Sequence, residues 1–324
     1  MRVPRCSTRR FGPWPVGRDL TPSMNARQGM DWERDGAQWP LRAYSRFVQT
    51  PSLRWHVQYA PHPDGQAPTI VLLHGTGAST HSWRDVFPLL NARCGVLALD
   101  FPGHAFSAMP AAQDVASLFS LPGMAAGVAQ LLSQMGIVPH TIVGHSAGAA
   151  VACMLSLGGH VQPQRIVSVN GALLPLDGLA GQFFSPMAKL LAKAPLVPEL
   201  FSWRAAQPAV LQRLLDGTGS HLSGEGRALY RQLIANPSHG AGALAMMAHW
   251  DLHRFWARLP PLQTPLELVV GERDLIVPPS VSLRTARALQ HQPMPGVVKL
   301  AGLGHLAHEE QPQQIAELIL RPLI

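Results

Sequence analysis

A chain of 324 residues with 47% hydrophobic side chains is long enough for one large core plus an insertion, and too apolar to be disordered. Of its formal charge of +7, six arginines against Asp19 in residues 1–29 supply +5 and leave +2 for the rest. The body shows no basic stripe interleaved with aromatics, which excludes nucleic-acid binding, and no uninterrupted run of about 18 apolar residues, which excludes a spanning helix.

Residues 1–29 are rich in Pro and Gly, lack apolar periodicity and read as a disordered basic extension. They fit a membrane-touching tail, a targeting segment or an over-long start; Met24 and Met30 offer later starts, and no signal-peptide core is present. Cys6, Cys94 and Cys153 are odd in number and widely spaced, which argues for a reducing, cytoplasmic setting, with a membrane-peripheral one as the alternative.

Strand-like runs follow at about 54–60, 69–73, 96–100, 141–144, 165–170, 266–270 and 297–300. Helical stretches fall at about 82–92, 121–135, 147–157 and 313–321. This alternation predicts an α/β fold with a mostly parallel, doubly wound sheet. Between residues 171 and 260 the rhythm breaks into amphipathic helices and prolines, so residues 30–170 and 261–324 form the expected core and 171–260 an inserted helical cap over the strand C-termini.

The chemistry centres on Gly144-His145-Ser146-Ala147-Gly148, a G-x-S-x-G between a strand and a helix. That context makes a nucleophile elbow, where a tight turn lifts the serine hydroxyl above the sheet. A hydrolase then needs an acid and a histidine, in that order. Asp274 follows the strand Leu266–Val270, and His305 follows the strand Val297–Leu300 in a Gly-rich loop. His305 would take the Ser146 proton, and Asp274 would fix its tautomer. Asp100 more often holds a neighbouring loop, Asn170 cannot carry the charge, and Glu272 reads as solvated. His305-x-x-His308-Glu309-Glu310 does not match a metal-binding helix, so no metal and no cofactor is expected; His308 starts the last helix, its two acids complementing the helix dipole.

The turn His74-Gly75-Thr76-Gly77 supplies the backbone donor of Thr76, and Ala147 the second, to a developing oxyanion. Low-polarity residues of the insertion, Phe183, Phe184, Met187, Met246, Met247 and Trp250, are candidates with His74 for an apolar substrate pocket, although ordinary helix packing explains most of them.

These motifs resemble the α/β-hydrolase superfamily over about residues 40–324. Within it, Asp31-Trp32-Glu33-Arg34-Asp35-Gly36, residues 74–84, Asn170-Gly171-Ala172-Leu173-Leu174-Pro175, residues 242–247 and 302–310 are similar to the magnesium-chelatase accessory proteins of bacteriochlorophyll biosynthesis. One departure is Ala105, where hydrolases usually carry glycine. The resemblance implies a place beside the chelatase subunits, with a porphyrin as ligand. Three functions follow: a serine hydrolase on a hydrophobic ester-type or tetrapyrrole-related substrate, a non-catalytic porphyrin-binding or chelatase-assisting chaperone, and a cofactor-free carbon–carbon hydrolase or peroxidase.

Overall fold

The computed structural model describes residues 29–175, 204, 207–289 and 296–321. Eight strands form one sheet in the order β1-β2-β4-β3-β5-β6-β7-β8. They are β1 (Ser45–Gln49), β2 (Arg54–Ala60), β3 (Thr69–Leu73), β4 (Gly95–Leu99), β5 (Thr141–His145), β6 (Arg165–Val169), β7 (Leu266–Gly271) and β8 (Val297–Leu300). β1–β2 and β2–β4 pair antiparallel, and every pair from β4–β3 to β7–β8 is parallel. The central strands read as near-continuous apolar runs because both faces are covered. β4, β5 and β6 are buried at every position.

On one face lie α4 (Leu121–Met135) and α5 (Ala147–Leu157); on the other, α2 (Val86–Asn91) and α12 (Pro312–Leu320). Ser120 starts α4 by accepting the Gly123 amide, and Gly136 ends it in the left-handed region at φ 65°. α5 is apolar nearly all round, which fits a helix buried from Ala147 to Ser156. Trp55 and Phe87, both fully buried, anchor the two faces and contribute about 1.5–3 kcal/mol each.

Smaller helices complete the frame: α1 (Trp32–Asp35), α3 (Val115–Leu118), α10 (Pro279–Ala288) and α11 (Ala307–Glu310). Between β6 and β7 the described chain holds α6 (Pro208–Asp216), α7 (Gly224–Ile234), α8 (Pro237–His249) and α9 (Leu252–Arg258). Several elements differ from expectation, among them α10, which has no counterpart among the expected helices. The helix expected over 82–92 is a 3-10 turn, Thr80–Trp83, followed by the shorter α2. The edge strand β1 was not anticipated, because its half-buried sequence Ser-Arg-Phe-Val-Gln lacks a clean alternation.

Candidate active site

β5 ends at His145 and α5 begins at Ala147, so Ser146 alone turns the chain. It does so at φ 49°, ψ −115°, a conformation that holds about 1–3 kcal/mol of strain in a non-glycine residue. Its flanking glycines are steric necessities. A Cβ on Gly144 would run into the Ala149 amide, and one on Gly148 into the Leu73 carbonyl oxygen. The Ser146 amide donates to Val169 O (3.0 Å), and its carbonyl accepts the amides of Ala149 (3.2 Å) and Ala172 (3.0 Å). Its backbone is therefore held from both sides.

His305 Nδ1 donates to Asp274 Oδ2 at 2.8 Å, and both residues are buried. Asp274 Oδ1 accepts the amides of Ile276 and Val277, each at 2.8 Å, and Oδ2 also accepts Asn170 Nδ2 at 2.6 Å. All four acceptor directions of an ionised carboxylate thus meet donors. With Nδ1–H directed at the acid, neutral His305 keeps its lone pair on Nε2. The histidine loop is clamped by its neighbours. The His305 amide donates to Thr218 O (3.0 Å), the Leu306 amide to Ser220 Oγ (2.8 Å) and the Gly304 amide to Glu310 Oε2 (2.8 Å).

The loop and the elbow meet through His145, whose Nε2 donates to the His305 carbonyl at 2.9 Å; the two rings lie 4.8 Å apart. His305 is thereby fixed beside the turn that carries Ser146. Among the described residues the Ser146 hydroxyl is not hydrogen-bonded to the imidazole. Such bonds are often long until substrate binds.

The turn after β3 runs against the elbow: a Cβ on Gly75 would lie 2.9 Å from His145 Nδ1 and 3.0 Å from Ser146 Cβ. The Ala78 amide closes this turn on Gly75 O (3.1 Å), with Gly77 at φ 74°. Thr76 is the second residue of the turn, and Ala147, the first residue of α5, carries an amide with no intrahelical acceptor. The two expected oxyanion donors therefore belong to segments in contact.

His74 lies inside the fold. It is fully buried, donates from Nδ1 to Gly75 O (2.7 Å) and accepts the Phe101 amide on Nε2 (2.9 Å), so it orders the loop. Burial pushes its pKa down to about 4, which keeps it neutral. Met246 and Trp250 are both buried in the main core cluster. Met246 Sδ accepts Thr76 Oγ1 at 3.4 Å, and Trp250 Nε1 points to Met124 Sδ at 3.3 Å. Met247 is half-buried on α8, and Phe183, Phe184 and Met187 lie outside the described residues.

Other polar residues are structural ties. Asp100 accepts His56 Nδ1 (2.6 Å) and the amides of Thr80 (2.7 Å) and Phe106 (3.3 Å), and His56 Nε2 reaches Ser45 Oγ (3.1 Å). This second serine–histidine–aspartate chain fastens the β1 edge to two loops. His308 is packed between the rings of Trp83 (4.5 Å) and His145 (4.3 Å). Glu309 and Glu310 stand in the first turn of α11. Glu309 also bonds Arg84 Nη1 (2.6 Å) and Tyr230 OH (2.8 Å), and Glu310 accepts the Gly304 amide. Sequence reasoning missed His239. It accepts the Ala105 amide on Nδ1 and donates from Nε2 to Gly77 O, both at 3.0 Å, and so pins α8 to the turn that carries Thr76.

The comparisons with known proteins agree with this frame. A family model described as "Alpha/beta hydrolase family" matches residues 70–318. The chain is 37% identical over 284 residues to the magnesium-chelatase 30 kDa subunit of Rhodobacter capsulatus, covering 88% of this chain and 96% of that protein. It is 29% identical over 260 residues to the biotin biosynthesis bifunctional protein BioHC of Cellvibrio japonicus, covering 78% of this chain and 47% of that one. An alpha/beta hydrolase fold protein from Burkholderia ambifaria superposes with a TM-score of 0.65 at 22% identity, covering 86% and 99% of the two chains. Strand order, elbow and family match converge: this chain belongs to the α/β-hydrolase family.

Proposed function

We propose that this protein is a serine hydrolase that works beside magnesium chelatase in bacteriochlorophyll synthesis, on a hydrophobic ester-type or tetrapyrrole-related substrate. Ser146 attacks the carbonyl carbon, and His305 Nε2 takes its proton and returns it to the leaving group. Asp274 steadies the imidazolium, and the amides of Thr76 and Ala147 hold the oxyanion. Water activated by His305 then releases the acyl group from Ser146. The helices between β6 and β7 act as a cap over the site, and they also hold the His305 loop through Thr218 and Ser220.

The observation that supports this reading is a strained serine whose neighbour His145 bonds the carbonyl of His305, the partner of buried Asp274. The chelatase association rests on the likeness to the Rhodobacter capsulatus subunit. That likeness also favours a second reading, in which the chain delivers porphyrin to the chelatase without using the serine. One experiment separates them. A fluorophosphonate should modify the wild-type protein and leave Ser146→Ala untouched, and protoporphyrin should slow the reaction if it occupies the site. A folded wild-type protein that stays unmodified, combined with full chelatase assistance by Ser146→Ala, rejects the hydrolase in favour of the chaperone.

A further inference from the structure

The segment that ends β6 bonds to Ser146, to Asp274 and to Gly304, the residue before His305. Val169 O accepts the Ser146 amide, and the Ala172 amide donates to the Ser146 carbonyl. Between them stands Asn170, fully buried at φ 51°. Its side-chain amide faces the two loops that carry the acid and the base. Nδ2 donates to Asp274 Oδ2 at 2.6 Å and lies 3.3 Å from the carbonyl oxygen of Gly304, the residue before His305. Its own backbone amide donates to Val269 O at 2.8 Å, which ties it to the strand that leads to Asp274. The position is therefore a junction between the nucleophile, acid and histidine segments.

The chemistry of the side chain suits that place. Asn170 and His305 donate to the same oxygen of Asp274. A neutral donor there shares the carboxylate's charge with the imidazole and fixes the rotation of the carboxyl group. An aspartate would put a second acid against the first and add negative charge beside the imidazole. The left-handed backbone also favours Asn among side chains that can donate.

We propose that Asn170 is a positioning residue for the reaction: it holds Asp274 and the His305 loop in register with Ser146 and tempers the pull of the carboxylate on the imidazole. The proposal rests on the reading of Ser146, His305 and Asp274 as a working triad. Two variants keep the backbone feasible. Asn170→Gly tolerates positive φ and removes only the amide, and Asn170→Asp keeps the shape but replaces the donor with an acid.

The experiment measures the second-order rate of fluorophosphonate reaction against pH for wild type and both variants, with the His305 ring followed by NMR over the same range. Asn170→Asp should move the acid limb and the ring's titration midpoint to higher pH by about one unit, because added negative charge favours the imidazolium. Asn170→Gly should lower the plateau rate by about tenfold or more through misplacement, at a wild-type melting profile. Folded variants with wild-type profiles and an unmoved midpoint would overturn the proposal. If wild-type Ser146 proves inert while the midpoint still moves, the triad reading falls and the arrangement around Asp274 stands. If the midpoint does not move either, both fall.

Discussion

Ser146 carries backbone strain at the turn between β5 and α5. At φ 49°, ψ −115° a glycine is relaxed and an alanine is not. Replacing Ser146 by Gly should therefore give a protein more stable than Ser146→Ala by about 1 kcal/mol, once the extra chain entropy of glycine is set against the released strain. Urea unfolding of the two variants checks this, and equal midpoints with equal slopes would contradict it. At this scale the candidate residues are visible in sequence because serine, acid and histidine follow strand ends in a fixed chain order, and the structure adds the bond between Asp274 and His305. In sequence Asn170 shows only that an acid is missing from that strand end. The Asn-Gly pair at 170–171 hints at a positive φ, but the partner of its amide lies 104 residues away and leaves no local trace.

Among the elements, α8 stands out because its narrow face makes contacts of three kinds. His239, Gly242 and Met246, spaced three and four apart, meet respectively Gly77 O, the backbone of Gly103 and Thr76 Oγ1. A Cβ on Gly242 would run into the Gly103 carbonyl oxygen. Gly242→Ala should therefore push α8 away at a cost of about 1–3 kcal/mol and lower the melting temperature by several degrees. Thermal unfolding gives the test, and an unchanged melting temperature would show that the helix is not seated as described. Buried parallel strands and α4 and α5 could be read from sequence, since apolar runs, a capping serine and a small-residue helix are local signals. The edge strand β1 and the docking of α8 could not, because their partners are distant in the chain.

For the whole molecule, buried neutral histidines set the response to acid. Burial lowers the pKa of His74 and His239 to about 4 and that of His308 to about 3. In the unfolded chain these groups titrate near 6.5, so below that pH the unfolded state binds more protons than the folded one. Their contribution to stability is complete above about 6.5 and is lost as pH falls toward their folded values, at about 1.4 kcal/mol per unit for each group. Melting temperatures should thus drop steeply between pH 6.5 and 5, and a flat profile there would contradict neutral burial. The alternation of strand-like and helical runs foretold the α/β core, and among the described residues no single helix is long and apolar enough to cross a membrane. Those runs held no sign that histidines would pack ring on ring around the elbow, as His145 does with His305 and His308.

The central claim is that Ser146 is an activated nucleophile beside His305. Its most direct test is the mass of the peptide containing residue 146 after treatment of the full chain with a fluorophosphonate. The expected result is one added phosphonyl group on Ser146, abolished in Ser146→Ala and strongly slowed in His305→Gln. An unmodified peptide from folded protein, under conditions where a known serine hydrolase reacts fully, would contradict it.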